Sequence, residues 1–300
     1  MDEHDWLVER FEAERPQLQA MAYRMLGSLP EAQDAVQESW LHLVRADRSL
    51  VKNLGAWLTT AVARICLDML RARKVLREES LEASVPESLI REPGLIDPEE
   101  EAELADSVGL ALLVVLDRLA PAERLAFVLH DIFAMPFDEI ACILERKVPA
   151  TRQLASRARR QVRGTEPACH ADFIRSREVV TAFLTASREG DFKTLLALLD
   201  PDVALRADRV AVSRGAAGGV AGEIRGAAAV ARLLTTGRIR LGARFARLVL
   251  VDGTVGLVVA PRGRLLLLLR LVIRGGKIAE IEAVADPAHL HQVRLAAPDD

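Results

Sequence analysis

Between Glu145 and Arg163 the chain carries seven basic residues, Arg146, Lys147, Arg152, Arg157, Arg159, Arg160 and Arg163, against a single acidic one. Cations at this density suit one chemistry above others: they neutralise backbone phosphates, and arginine forks also pair with guanine edges. The apolar residues in the same stretch have helical spacing. With Leu154 and Ala158 facing inward, Arg152, Gln153, Ser156, Arg157 and Arg160 project outward or to the flanks. Just upstream, FDEIACIL (Phe137–Leu144) reads as a short helix whose Ile140 and Ile143 can pack on Leu154 and Ala158. A short helix, a turn and a basic second helix make a helix-turn-helix, which holds its second helix out for a major groove. The plainer reading is a basic amphipathic helix on a solvated face.

Other reactive groupings are sparse. Cys66, Cys142 and Cys169 have no CxxC spacing, which argues against a zinc site or a disulfide framework and suits a reducing compartment. The sequence contains no nucleotide-binding loop, nucleophile motif or metal-ligand cluster, so neither cofactor nor metal is expected. Asp202, Asp208, Glu223 and His289 are the titratable candidates for acid–base work in a C-terminal cavity. Such work would need them to converge; surface solvation is the plainer role for each.

The elements that must position these residues are read from pattern. The chain has 300 residues and a net charge of −3, enough length for two or three domains. Leu18, Met21, Ala22, Met25 and Leu26 recur at helical spacing, and Gly27-Ser28-Leu29-Pro30 breaks that helix. A second helix is expected from about Glu31 to Val44, with Ala35, Val36, Trp40, Leu41 and Leu43 as its apolar face. A polar loop, Arg45 to Gly55, leads to a third helix, Ala56 to about Arg73. From Leu76 to Asp106 there are eleven acidic residues against two basic ones, with Pro86, Pro93, Gly94 and Pro98 among them. That composition predicts an extended linker.

Helical pattern returns from Val108 to Val162, with Pro121 opening a helix. After a junction at Gly164–Cys169, Phe173 to Leu199 is expected to be helical with a break at Gly190, and a further helix falls near Ala227–Leu234. Strands are expected at Phe245–Val251, Val255–Ala260, Arg264–Ile273 and Lys277–Val284, with Asp252-Gly253 and Gly275-Gly276 as hairpin turns. The apolar run Leu265 to Leu269 is too short to span a bilayer. The N-terminus lacks the basic-then-apolar pattern of a signal peptide, so cytoplasm and no membrane are the expectations.

LAPAERLAFVLHDIFAMPFDEIACILERKVPATRQLASRARRQV resembles region 4, the −35-binding domain, of extracytoplasmic-function RNA polymerase sigma factors of the sigma-70 family. LQAMAYRMLGSLPEAQDAVQESWLHL followed by AWLTTAVARICLDMLRARK is similar to region 2 of the same family. The resemblance covers about the first 165 residues and implies a transcription initiation factor, not an enzyme, whose partners are core RNA polymerase (its β′ and β subunits) and promoter DNA. By motif position it implies that Asp34, Gln37, Glu38 and Trp40 contact the β′ coiled coil. It also implies that Lys52, Asn53, Arg64, Arg71, Arg73 and the neighbouring Lys74 lie along the −10 element, where Trp57 can stack or fill core. Lys147, Arg152, Gln153, Ser156, Arg157 and Arg160 would meet the −35 element. The acidic linker would thread near the polymerase active site. The sequence departs from the family pattern at the turn, where Glu145 and Lys147 stand in place of the usual Gly and Ser; loss of a serine cap costs about 1 kcal/mol.

The VVTAFLTASREGDFKTLLALLDPDVAL segment resembles the opening of a SnoaL-like, NTF2-type cone. The expected fold is therefore multidomain: two all-α sigma domains, a region 2 helical bundle and a region 4 helix-turn-helix, followed by an α+β NTF2-like cone. The expected boundaries are 1–75 for region 2, 76–107 for the linker, 108–164 for region 4 and 165–300 for a regulatory domain that contacts the sigma domains. A small-molecule ligand in the cone stays open. So do two other readings: a one-component, ligand-sensing DNA-binding regulator, and a SnoaL-type enzyme fused to a sigma-like part. A simple regulator has no use for a polymerase-docking helix and a −10-reading helix.

Overall fold

The computed structural model describes residues 3–45, 53–79, 110–163, 170–215, 223–261 and 265–297. Lys52, most of the acidic linker, the 164–169 junction and the glycine-rich end of the 213–219 loop lie outside them. The chain divides into two compact units: Met1–Gly109 with Leu116–Arg159, and Leu110–Val115 with Arg160–Asp300.

Helix α1 (Glu3–Leu26) buries Leu18, Met21, Ala22, Met25 and Leu26, the stripe that its spacing predicts. Gly27, at φ +70°, takes the left-handed conformation that ends the helix, and its N–H bonds the Tyr23 carbonyl at 2.7 Å. Helices α2 (Leu29–Arg45) and α3 (Leu54–Glu79) pack against α1 and against each other. The next described stretch supplies α4 (Leu110–Leu116), α5 (Pro121–Phe127), a π-helical turn at Val128–Ile132, α6 (Phe137–Leu144) and α7 (Val148–Arg163). Pro121 stands at the first turn of α5, where its missing N–H costs nothing. Within the first unit, α3 packs on α5 and α6, and α1 on the π-helical turn.

One buried cation joins these pieces. Arg124 of α5 is only 2% exposed. Its Nε and Nη2 donate to the carbonyl oxygen of Arg24 at 3.1 and 3.0 Å, and Nη1 donates to Asp117 at 3.4 Å. The last carbonyls of a helix have no partner within it and carry partial negative charge, so the guanidinium caps the end of α1. Arg73 of α3 does the same two residues on: it donates to the Leu26 carbonyl at 3.0 Å and pairs with Glu31. Burial pulls the Arg124 pKa down to about 10, with Asp117 holding it up against that loss of solvent. The group stays charged at neutral pH.

The second unit is α+β. Helices α8 (His170–Glu189) and α9 (Phe192–Leu198) come first, with Asp191 capping α9 through the N–H groups of Lys193 and Thr194. The helical pattern stops at Leu198 and not Leu199, because strand β1 (Leu199–Ala207) begins there around Pro201 and carries a register shift between Leu199 and Ala204. Next come α10 (Arg209–Ser213), β2 (Glu223–Arg225), α11 (Ala227–Leu234), α12 (Gly237–Ala243), β3 (Ala246–Val251), β4 (Thr254–Val259), β5 (Leu267–Arg274), β6 (Lys277–Val284), α13 (Pro287–Gln292) and β7 (Leu295–Ala296).

The strands form one mixed sheet in the order β2-β1-β6-β5-β4-β3-β7, parallel only between β1 and β6. Both expected hairpin turns are present, with Asp252-Gly253 and Gly275-Gly276 all at positive φ. A side chain on Gly256 would meet Val251 at 2.6 Å and the Leu269 carbonyl at 2.9 Å, so β4 is pressed too close to its neighbours for any other residue. Helices come first and the sheet after, the order expected for this part of the chain. The interior of the unit is packed with Val180, Phe183, Leu195, Val203, Leu257 and Ile281, among others.

Two stability predictions rest on these anchors. Arg124→Ala takes both guanidinium donors from the Arg24 carbonyl and one from Asp117, and should cost about 3 kcal/mol in chemical denaturation of the first unit. Asp208 accepts N–H bonds from Ala211, Ala285 and Asp286 at 2.6 to 2.8 Å. Partial burial raises its pKa, but these backbone bonds outweigh it and leave the carboxyl below its usual value. The stability it supplies is therefore present above the ordinary aspartate range and lost as pH falls through the depressed pKa. Asp208→Asn should destabilise the second unit by about 2 kcal/mol at pH 7, with the difference from the native chain shrinking towards pH 3 in thermal melts.

Candidate nucleic-acid interface

The helix-turn-helix is built as its pattern predicts. Ile140, Ile143 and Leu144 of α6 are buried, as are Leu154, Ala155, Ala158 and Val162 of α7. Thr151, fully buried, turns its hydroxyl onto the Lys147 carbonyl at 3.3 Å. Arg152, Gln153, Ser156, Arg157 and Arg160 are all exposed, together with Arg146 and Lys147 in the turn.

The seven cations are not equivalent. Arg159 bonds Asp131 at 2.6 Å, and Arg157 lies 4.0 Å from Glu123. Among the described residues, no carboxylate pairs with Arg146, Lys147, Arg152, Arg160 or Arg163. Arg152 instead lies over the ring of Phe137, 5.8 Å from its centroid. Glu145 occupies the left-handed region at φ +54°, ψ +43°, where it closes α6 through the Ala141 and Cys142 carbonyls. A glycine suits that conformation, so Glu145 sits there under backbone strain.

In the N-terminal helices, Asp34, Gln37 and Glu38 are exposed on one face of α2. Trp40 is half-buried, its ring 4.8 Å from that of Phe11. Leu41, expected on the core-facing side, is 39% exposed, and Val44 is exposed with it. Helical spacing puts both on the face of Asp34, Gln37 and Glu38 (i, i+3, i+4, i+7); their apolar character disguised this in the sequence.

The expected −10 residues separate. Arg64 is exposed and Arg71 pairs with Asp68 at 3.3 Å. Asn53 caps α3 by accepting the Ala56 N–H at 3.2 Å. Arg73 is held on Glu31 and the Leu26 carbonyl, Lys74 is exposed and Trp57 half-buried. Nothing in PAERLAFVL marks Arg124 as buried: it shows only an arginine beside an apolar run.

The C-terminal acid–base candidates do not come together. Asp202 is exposed at the start of β1, Glu223 pairs with Arg206 and Arg225 on β2, and Asp208 fastens backbone. His289 is exposed on α13, 3.9 Å from Asp286. Among the described residues, no cluster of histidine, cysteine and carboxylates could hold a metal ion, and no helix is long and apolar enough to cross a membrane.

The family model for sigma-70 region 2 matches residues 10–75, and that for sigma-70 region 4 matches residues 109–162. Over 296 residues the chain is 35% identical to the extracytoplasmic-function (ECF) RNA polymerase sigma factor SigJ of Mycobacterium tuberculosis, covering 93% of this chain and 92% of that one. The chain belongs to the ECF sigma factors. It is also 37% identical over 204 residues to the probable ECF sigma factor SigI of Mycobacterium tuberculosis, covering 68% of this chain and 70% of the relative. The crystal structure of SigJ, 34% identical, covers 94% of this chain and 97% of its own, with a TM-score of 0.46. As an ECF sigma factor the chain associates with core RNA polymerase and directs transcription initiation at promoters.

Glu145→Gly should raise the stability of the first unit by about 1 kcal/mol in urea denaturation, because glycine adopts φ +54° without strain. Glu145→Gln, which removes charge but keeps the strain, should leave that stability unchanged.

Proposed function

We propose that this sigma factor docks on polymerase through α2 and reads the −35 element through α7. Asp34, Gln37 and Glu38, with Leu41 and Val44 beside them and Trp40 at the margin, form the docking face. Exposed apolar residues flanked by carboxylates suit a protein partner. Arg152, Gln153, Ser156, Arg157 and Arg160 meet the −35 duplex, with Lys147 on a flanking phosphate. The observation that carries this reading is the exposure of every one of these α7 side chains while Leu154, Ala155 and Ala158 hold the helix in place.

Arg64 and Arg71 serve the −10 strand. Asn53 and Arg73 act there by shaping α3, since both already have partners within the fold. Lys52 lies outside the described residues and is assigned to the −10 element by motif position alone. The protein works in the cytoplasm and performs no catalysis of its own; polymerase does the chemistry.

The C-terminal domain acts as the holder of region 4. The second unit contains Leu110–Val115 and the end of α7, and the Ala297 N–H bonds the Val162 carbonyl at 3.0 Å.

Run-off transcription with core polymerase and a library of promoter fragments tests both parts. The full chain should give specific transcripts, Glu38→Arg should lose polymerase binding by more than tenfold, and truncation after Gly164 should lower output. Equal or higher output from a folded truncation would overturn the holder role. Binding to duplex DNA alone, with no transcripts, would replace the sigma reading with a ligand-sensing regulator.

A further inference from the structure

Arg152 stands apart from the other arginines of α7 in having an aromatic support. Phe137, the first residue of α6, is half-buried, and the Arg152 guanidinium lies over its ring. The Phe137 ring is itself held. His130, in the π-helical turn, stacks on it with ring centroids 3.8 Å apart and planes inclined by 27°. The imidazole is fixed in turn by its Nδ1, which lies 2.9 Å from the Met135 carbonyl oxygen. Between them the chain passes through Ala134, held at φ +53°, and the Met135 N–H returns to the Leu129 carbonyl at 2.9 Å. A tight loop thus brings two rings and one guanidinium into register from three separate segments.

A free arginine side chain has large rotamer freedom, all of which is lost when its fork engages a base edge. An aromatic face beneath the guanidinium attracts it through the ring quadrupole and removes part of that freedom beforehand. The two ends of the guanidinium remain available, because stacking uses its face and hydrogen bonding uses its edge. We propose that His130 and Phe137 are positioning residues for promoter selection, forming a ring platform that presents the edge of Arg152 to one base pair of the −35 element. The proposal rests on the −35 reading of α7 above and names the element that sharpens it. Neither ring needs to touch DNA.

The test is promoter selection from a library randomised across the −35 element, read by sequencing run-off transcripts made with core polymerase and the full-length chain. Arg152→Ala should flatten base preference at one position. Phe137→Leu, which keeps apolar bulk but has no ring face, should reduce preference at that same position by about two- to fivefold. Phe137→Tyr should restore it. The double variant Phe137→Leu/Arg152→Ala should be no worse at that position than Arg152→Ala alone.

A purely structural role for Phe137 would lower transcription from all sequences together, leave base preference unchanged and add to the effect of Arg152→Ala; that result overturns the platform. If Arg152→Ala flattens one position and Phe137→Leu does not, the platform falls and the −35 reading stands. If Arg152→Ala leaves every preference intact while the native chain initiates, the assignment of Arg152 to DNA falls and the platform with it.

Discussion

The arrangement of the first unit depends on a guanidinium placed where solvent cannot reach it. A charged group with 2% exposure is tolerable only when its donors are matched, and Arg124 meets that condition with a helix end and a carboxylate. The match is directional. The carbonyl of Arg24 points along the axis of α1, so the donor must approach from beyond the last turn, which Gly27 opens by turning the chain aside. Arg73 fills the adjoining position from α3. Two arginines from distant parts of the sequence thereby complete one helix terminus, and α5 cannot shift without stripping the Arg24 carbonyl of its donors. Hydrophobic packing alone would tolerate sliding; this contact sets a register.

Much of this architecture was legible in advance because its signals are local. The stripe Leu18-Met21-Ala22-Met25, the turn pairs Asp252-Gly253 and Gly275-Gly276, and the inward Leu154 and Ala158 each follow from periodicity or from a backbone requirement within a few residues. What escaped depends on partners far along the chain. Leu41 reads as core by type, and only the packing of α1 and α3 decides that it faces out. Strand β1 looks like the end of a helix because Leu195, Leu198 and Leu199 continue the apolar pattern; its strand character comes from pairing with β6, some 80 residues later. Arg73 has the charge of a phosphate ligand, but Glu31, also remote in sequence, claims it.

The C-terminal domain spends its polar groups on its own fold. Its centre is packed with aliphatic side chains, and the half-buried carboxylate of Asp208 is taken up by backbone donors. The polar residues left on the sheet, Arg206, Glu223, Arg270, Glu280 and Glu282, pair across neighbouring strands. Opposite charges on adjacent strands add a small stabilisation to the sheet.

The topology of that sheet also orders events in time. Strand β1 lies between β2 and β6, and β6 is made after almost everything else; β7, later still, joins the far edge at β3. While the chain is leaving the ribosome, the helical regions can gather from local contacts, but the sheet has no closed form until residues 277–284 have emerged. A translation product halted before that point would carry the promoter-reading helices ahead of an open, apolar, pairing-competent sheet. The cell would meet it as a substrate for chaperones and proteases and not as a working initiation factor, so the fold makes late synthesis a checkpoint on which chains survive to meet polymerase.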